Sequence, residues 1–199
     1  MGNNDVELVL TDDDSGVFAV SLVDKPAIAM NWVAMAQPDI FKFSTISEEK
    51  RIIAGPVLLA DTPIQQAGGQ GLYNAFITPA TIEQVVQRFH KNGFQSNVTM
   101  QHSSDYLPEG VFMYQSFIIN RSLGINPPTG FEAMKDGSWF AFYKVDNEDV
   151  WNNYVKRGLF KGFSIEGLFG TRPVQFSEDE LSVALKELIS AINTNIKSK

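Results

Sequence analysis

Residues Val155 to Gly170 read VKRGLFKGFSIEGLFG, a run of strand-like composition in which Gly158 and Gly162 bracket Leu159, Phe160 and Lys161. Successive side chains of a strand take opposite faces, so Phe163, Ile165 and Gly167 share one side and Ser164, Glu166 and Leu168 the other. The large apolar groups face a core, and a hydroxyl and a carboxylate lie on the opposite surface. A rigid strand holds a nucleophile better than a loop does, which makes Ser164 the candidate nucleophile. The same pattern fits a serine on the solvated face of an amphipathic strand. Gly162, Ser164 and Gly167 give G-x-S-x-x-G, one residue longer than the G-x-S-x-G nucleophile elbow of hydrolases.

The rest of the chain bounds what can surround that strand. With 199 residues, 44% of them hydrophobic, there is enough chain for one sizeable core and too little for two independent domains. We therefore expect one domain over residues 1–176 with a helical tail over 177–199. A net charge of −7 with scattered Lys and Arg argues against nucleic acid as a partner, because phosphate neutralisation needs clustered cations. Without cysteine, disulfides, thiolate nucleophiles and zinc–thiolate sites are excluded. No continuous apolar run reaches the roughly 18 residues of a membrane span, and no basic and apolar leader opens the sequence. A soluble chain that is not exported is expected.

Strand-like alternation at residues 5–10 and 17–23, separated by Asp12-Asp13-Asp14-Ser15-Gly16, predicts an opening β-hairpin. Ala27 to Ala36 reads as a strand or an arm in a groove, and residues 37–49 as a further strand. Arg51 to Leu59 forms a buried strand bent at Gly55-Pro56, followed by a loop from Ala60 to Gln70 and a short strand from Tyr73 to Ile77. The clearest helix starts at Thr78 as N-cap with Pro79 in its first turn, presents Ile82, Val85, Val86 and Phe89 as a stripe, and closes at Gly93. Strands follow at residues 97–101, 111–120 and 138–145, then a short helix over 148–157. From Ser177 the capping-box pair Ser177 and Glu180 opens a helical stripe of Leu181, Ala184, Leu185, Leu188, Ile189 and Ile192. The class is α+β: a mostly antiparallel β core with two or three helices.

Only two histidines are present. His90 falls at the end of the predicted helix, where the dipole favours an imidazolium. His102 follows a strand, and a serine nucleophile needs such a base. Asp105, Glu109, Gln115 and Glu166 could orient the imidazole: Glu166 shares the face of Ser164, roughly 7 Å along the strand, and Asp105 lies close to His102 in sequence. No ligand set for a metal emerges, and the Gly68-Gly69-Gln70-Gly71 stretch lacks the lysine of a phosphate loop. We expect neither metal nor cofactor.

GLFKGFSIEGLF at residues 158–169, with SWFAFYKVDNEDVWNNYVKRG before it, resembles the serine strand of the tailed-phage prohead (head maturation) proteases, especially the XkdF-like group. VFAVSLVDKPAI at residues 17–28 is similar to the opening of that group, and TPATIEQVVQRFHKNG followed by MQHSS places a helix and then a histidine in the same order. The resemblance implies a herpesvirus-protease-like β-barrel with surrounding helices and an endopeptidase that uses Ser164 and His102, with Glu166 as third member and Asp105 as the alternative. Arg172 is a further helper through its loop. The implied role is cleavage of scaffold and capsid-protein segments, and of the protease itself, during phage capsid assembly. The implied partners are scaffold protein, major capsid protein and portal, with a homo-oligomer, no nucleic acid and no membrane. The implied place is the procapsid interior in the host cytoplasm. Similar sequences often carry an acidic residue where this chain has Ala19, and another where it has Gln115. A catalytically inactive capsid-assembly or scaffold-associated protein of the same fold is therefore the rival reading, with a β-barrel binding module as a second.

Overall fold

The computed structural model describes residues 5–24, 43–68, 71–103 and 109–174. Within them the chain is α+β and mostly sheet, with two short helices. The strands divide into three sheets, none of which closes into a barrel. The first carries β1 (Val6–Val9), β5 (Ile64–Gly68), β6 (Gly71–Phe76) and β11 (Gly170–Pro173), in the order β11-β1-β6-β5. The second is β10 (Gly162–Leu168), β2 (Gly16–Val23) and β7 (Val98–Met100), with β2 central. The third runs β3 (Ser44–Ser47), β4 (Ile52–Leu58), β9 (Trp139–Val145) and β8 (Val111–Ile118).

The expected opening hairpin does not form. β1 pairs antiparallel with β11 and parallel with β6, whereas β2 pairs antiparallel with β10 and parallel with β7. The acidic turn sends the chain into another sheet: Ser15 Oγ accepts from Thr11 N–H at 2.9 Å and donates to the Asp12 carbonyl at 2.7 Å. Arg88 of the helix clips the turn by donating to the Asp12 and Ser15 carbonyls. A second correction concerns residues 60–70, where β5 pairs with β6 in a hairpin ending at Gly68 and Gly71. The predicted bend at Gly55-Pro56 is present as a register shift between Pro56 and Leu58. Residues 27–36 and the tail from 177 lie outside the described residues.

α1 (Pro79–Lys91) starts as its sequence dictates, with Thr78 Oγ1 accepting from Thr81 N–H at 3.4 Å. Its buried residues Ile82, Val85 and Phe89 face the main core. There Phe89 meets Trp139 edge-on, their ring centroids 5.2 Å apart. The sheets share that core through alternation. Val20, Leu22, Val98 and Phe163 point inward from the β10-β2-β7 sheet, to meet Ile53, Trp139 and Tyr143 of the β4-β9 pair. Phe163 packs against Tyr143 with the rings tilted by 45° and centroids 4.7 Å apart, and its burial contributes about 2–3 kcal/mol. The other side of β9 supplies Phe140 to a smaller cluster with Phe131 and Met134, so both faces of this strand are covered. The segment before β10 is α2 (Glu148–Val150), capped by Asn147, followed by a wide turn over Trp151–Val155. In that turn the Lys156 N–H reaches the Trp151 carbonyl. It delivers the chain to Gly158, φ +66°, and then to the serine strand.

Candidate active site

The register of the central sheet places the polar residues. Ser164 lies directly across from Ser21, and Ser21 in turn lies beside Thr99. Residues paired this way share a face, so three hydroxyls line up across three strands on the side opposite Phe163 and Leu22. They are withdrawn from solvent: Ser21 is 0%, Thr99 3% and Ser164 4% exposed. Glu166 occupies the same face one alternation along β10, opposite Ala19.

A bulge fixes the end of this row. Pairing passes from Glu166↔Ala19 to Gly167↔Val17, leaving Phe18 as the extra residue of β2. Asn97 secures the irregular backbone, its side-chain amide donating to the Phe18 carbonyl at 2.9 Å while its own carbonyl accepts from Val20 N–H at 3.0 Å. The strands come so close that a Cβ on Gly167 would lie 2.5 Å from the Gly16 carbonyl oxygen, which explains the glycine. The bulge ends the regular pairing immediately after Glu166, which keeps its place on the Ser164 face by simple alternation.

His102 reaches this face from the end of β7. Gln101 and His102 have φ of +51° and +59°, and the Ser103 N–H returns to the Met100 carbonyl at 2.9 Å. Two consecutive left-handed residues are the signature of a primed tight turn, normally built from Asn and Gly. Each non-glycine residue held there costs on the order of 1 kcal/mol. The turn folds the imidazole back so that His102 Nδ1 lies 3.6 Å from Glu166 Oε1. That distance is too long for a hydrogen bond and becomes an ion pair only when the imidazole is protonated. Glu166 Oε1 meanwhile accepts a hydrogen bond from Thr99 Oγ1, which anchors the carboxylate on the imidazole side. The imidazole is 47% and the carboxylate 20% exposed, so a partly solvated histidine sits over a more enclosed acid.

The structure thus brings His102 and Glu166 together and sets Ser164 on the same sheet face. Among the described residues no hydrogen bond joins Ser164 to His102. Asp105 lies outside the described residues. Glu109 is a turn residue whose carbonyl accepts from the Asn147 side chain, and Gln115 is exposed on β8. Arg172 is taken by Glu7, at 2.6 Å, in the β1-β11 pair. His90 lies in the last turn of α1 as expected, and partial burial pushes its proton affinity below the usual 6.5. Its Nε2 lies 2.9 Å from Ser116 Oγ and its Nδ1 3.0 Å from Gln95 Nε2. An amide donor at Nδ1 leaves the proton on Nε2, so His90 donates to Ser116 and does not activate it.

Sequence reasoning missed Ser21 and Thr99. Ser21 is a polar residue inside the apolar run Val20 to Val23, and that interruption was the available signal. Thr99 carried none, since its role depends on the parallel pairing of β7 with β2. Compared with known proteins, the chain matches no family model, no curated protein and no solved structure.

Proposed function

We propose that the chain is a serine endopeptidase of the prohead-maturation type, acting on scaffold and capsid-protein segments and on itself during phage capsid assembly. The observation that carries this reading is the His102–Glu166 pair, 3.6 Å apart, on the sheet face that presents Ser164. The resemblance leads one to look for a carboxylate at position 19, where this chain has alanine. Glu166 lies directly across the ladder from Ala19, so the missing acid enters the same spot from the neighbouring strand.

In the reaction, His102 takes the proton of Ser164 as Oγ attacks the scissile carbonyl carbon. The imidazolium, held by Glu166, then donates that proton to the leaving amine as the C–N bond breaks. Water attacks the resulting ester, again with His102 as base, releasing the acid and restoring the serine. The negative oxygen of each tetrahedral intermediate needs donors, which main-chain N–H groups beside the serine strand would supply. Ser164 and His102 must close to hydrogen-bond distance for the first step, and catalytic contacts often tighten only once substrate is bound. Closure of the sheets into a herpesvirus-protease-like barrel belongs to the same proposal.

The test combines a fluorophosphonate, which reports an activated serine, with processing of co-expressed scaffold and capsid protein. Wild type labels at Ser164, mapped by mass spectrometry, and cleaves both proteins, whereas folded Ser164→Ala and His102→Gln variants do neither. Processing that persists in both variants overturns the assignment. The low exposure of Ser164, 4%, and its lack of a bond to His102 favour a second reading, an inactive capsid-assembly protein of the same fold. An unlabelled wild type that still joins proheads would establish that second reading.

A further inference from the structure

The turn carrying His102 is built from residues that do not favour it. Primed turns select glycine and asparagine, yet both central positions here, Gln101 and His102, hold bulky side chains at positive φ. Such a conformation persists only when the surroundings over-determine it. Three contacts do so, all from β2 and the residue that follows it. The Gln101 N–H donates to the Leu22 carbonyl at 3.0 Å. With its amide oriented to suit, Gln101 donates to Asp24 Oδ1 at 3.2 Å and accepts from the Asp24 N–H at 3.3 Å. The third contact acts on His102 itself, whose main-chain N–H donates to Ser21 Oγ at 2.9 Å.

Ser21 is 0% exposed and directly opposite Ser164. An alanine would fill this site in the sheet, and a buried hydroxyl is retained only where it meets a partner. The partner is the main chain of His102. We infer that Ser21 is a positioning residue of the site: by accepting the His102 N–H it holds the left-handed turn that returns the imidazole to Glu166 on the face carrying Ser164. The inference rests on the reading of His102 and Ser164 as the reacting pair for its meaning, but not for its test. Thr99 does the complementary task by fixing the carboxylate, so the two buried hydroxyls beside Ser164 hold the two halves of the His102–Glu166 contact.

The test is NMR on the full chain, comparing wild type, Ser21→Ala and Ser21→Thr. In Ser21→Ala the His102 main-chain amide exchanges about tenfold or more faster than in wild type, while the Val20 amide, bonded to the Asn97 carbonyl, keeps its protection. Imidazole nitrogen shifts report a changed tautomer balance at His102 once the ring is no longer held towards Glu166. Ser21→Thr, which retains the hydroxyl, restores both. Where the alanine variant does not fold, Ser21→Cys keeps the size and only a weak acceptor and gives the same readouts. Unchanged exchange and tautomer at His102 overturn the inference, as does a loss of protection equal at Val20 and His102, which would mark a general loosening of the sheet. Fluorophosphonate labelling of the same samples separates the two proposals. Wild type that does not label while His102 responds to Ser21→Ala removes the peptidase reading and leaves the positioning role standing.

Discussion

Replacing Glu166 with glutamine removes one charge, keeps the shape of the side chain and leaves an acceptor for Thr99. Its effect should fall on the step in which His102 becomes charged, since a carboxylate stabilises an imidazolium more than a neutral ring. At the observed 3.6 Å the pair is worth about 1 kcal/mol at the permittivity of water and about 2 kcal/mol at half of it. Half the permittivity of water marks the upper limit of the effect, because solvent screens an imidazole that is 47% exposed beside a carboxylate that is 20% exposed. Those energies correspond to a fall of about 5- to 50-fold in the rate of Ser164 modification by a fluorophosphonate. The ratio of wild type to variant should shrink in about 0.5 M salt, because solvent and ions reach the histidine. A ratio within about twofold would refute the orienting role of Glu166 and turn attention to Asp105.

Three further outcomes test the surroundings of the site. Tyr143 is fully buried, its hydroxyl has no partner among the described residues and burial pushes its ionisation well above the usual 10. Tyr143→Phe should therefore leave stability to urea unchanged or raise it by about 1 kcal/mol, and a loss of that size would mean the hydroxyl is satisfied. Gly167→Ala should cost about 1–3 kcal/mol, because its Cβ would meet the Gly16 carbonyl at 2.5 Å; an unchanged melting temperature would contradict the close approach at the bulge. His90 binds its proton less readily folded than unfolded, through burial. Its contribution is thus intact above about pH 6.5 and is lost as pH falls from there towards the lowered folded value. Urea midpoints at pH 7.5 and 5.5 should differ less in His90→Gln than in wild type, and equal differences would exclude His90 as a source of acid sensitivity.

Much of the scaffold was legible because its signals are local. Alternation in Gly162 to Leu168 and Trp139 to Val145 gave both strands and the faces that Phe163 and Tyr143 bury, and Thr78-Pro79 gave the start of α1. What failed depended on contacts distant in sequence. Two alternating runs joined by turn residues suggest a hairpin, and nothing local to Asp12 or Gly16 reveals that Arg88 clips the turn and that β2 belongs between β10 and β7. β5 was missed because Gln65, Gln66, Ala67 and Gly68 have no apolar period and gain order from pairing with β6. At the site, Ser164, His102 and Glu166 could be chosen by residue type and face. The left-handed backbone of His102 could not, since its sequence carries no glycine or asparagine to announce a primed turn.

That mismatch between local preference and observed conformation bears on function. A sheet selected only for stability would fill the face around Ser164 with apolar groups, as it does around Phe163. It would also place glycine or asparagine in the turn after β7. Instead three hydroxyls at 0%, 3% and 4% exposure line that face, and two of them are committed to His102 and Glu166. A bulge that requires Gly167 sits beside the acid. The two committed hydroxyls and the left-handed turn act on the position of the same histidine and carboxylate. Departures that converge on one pair of side chains are what a reacting site demands of its scaffold. If the proposed peptidase reading holds, Thr99→Val, which frees the carboxylate from its hydroxyl partner, should slow fluorophosphonate labelling of Ser164, and labelling at the wild-type rate would count against it.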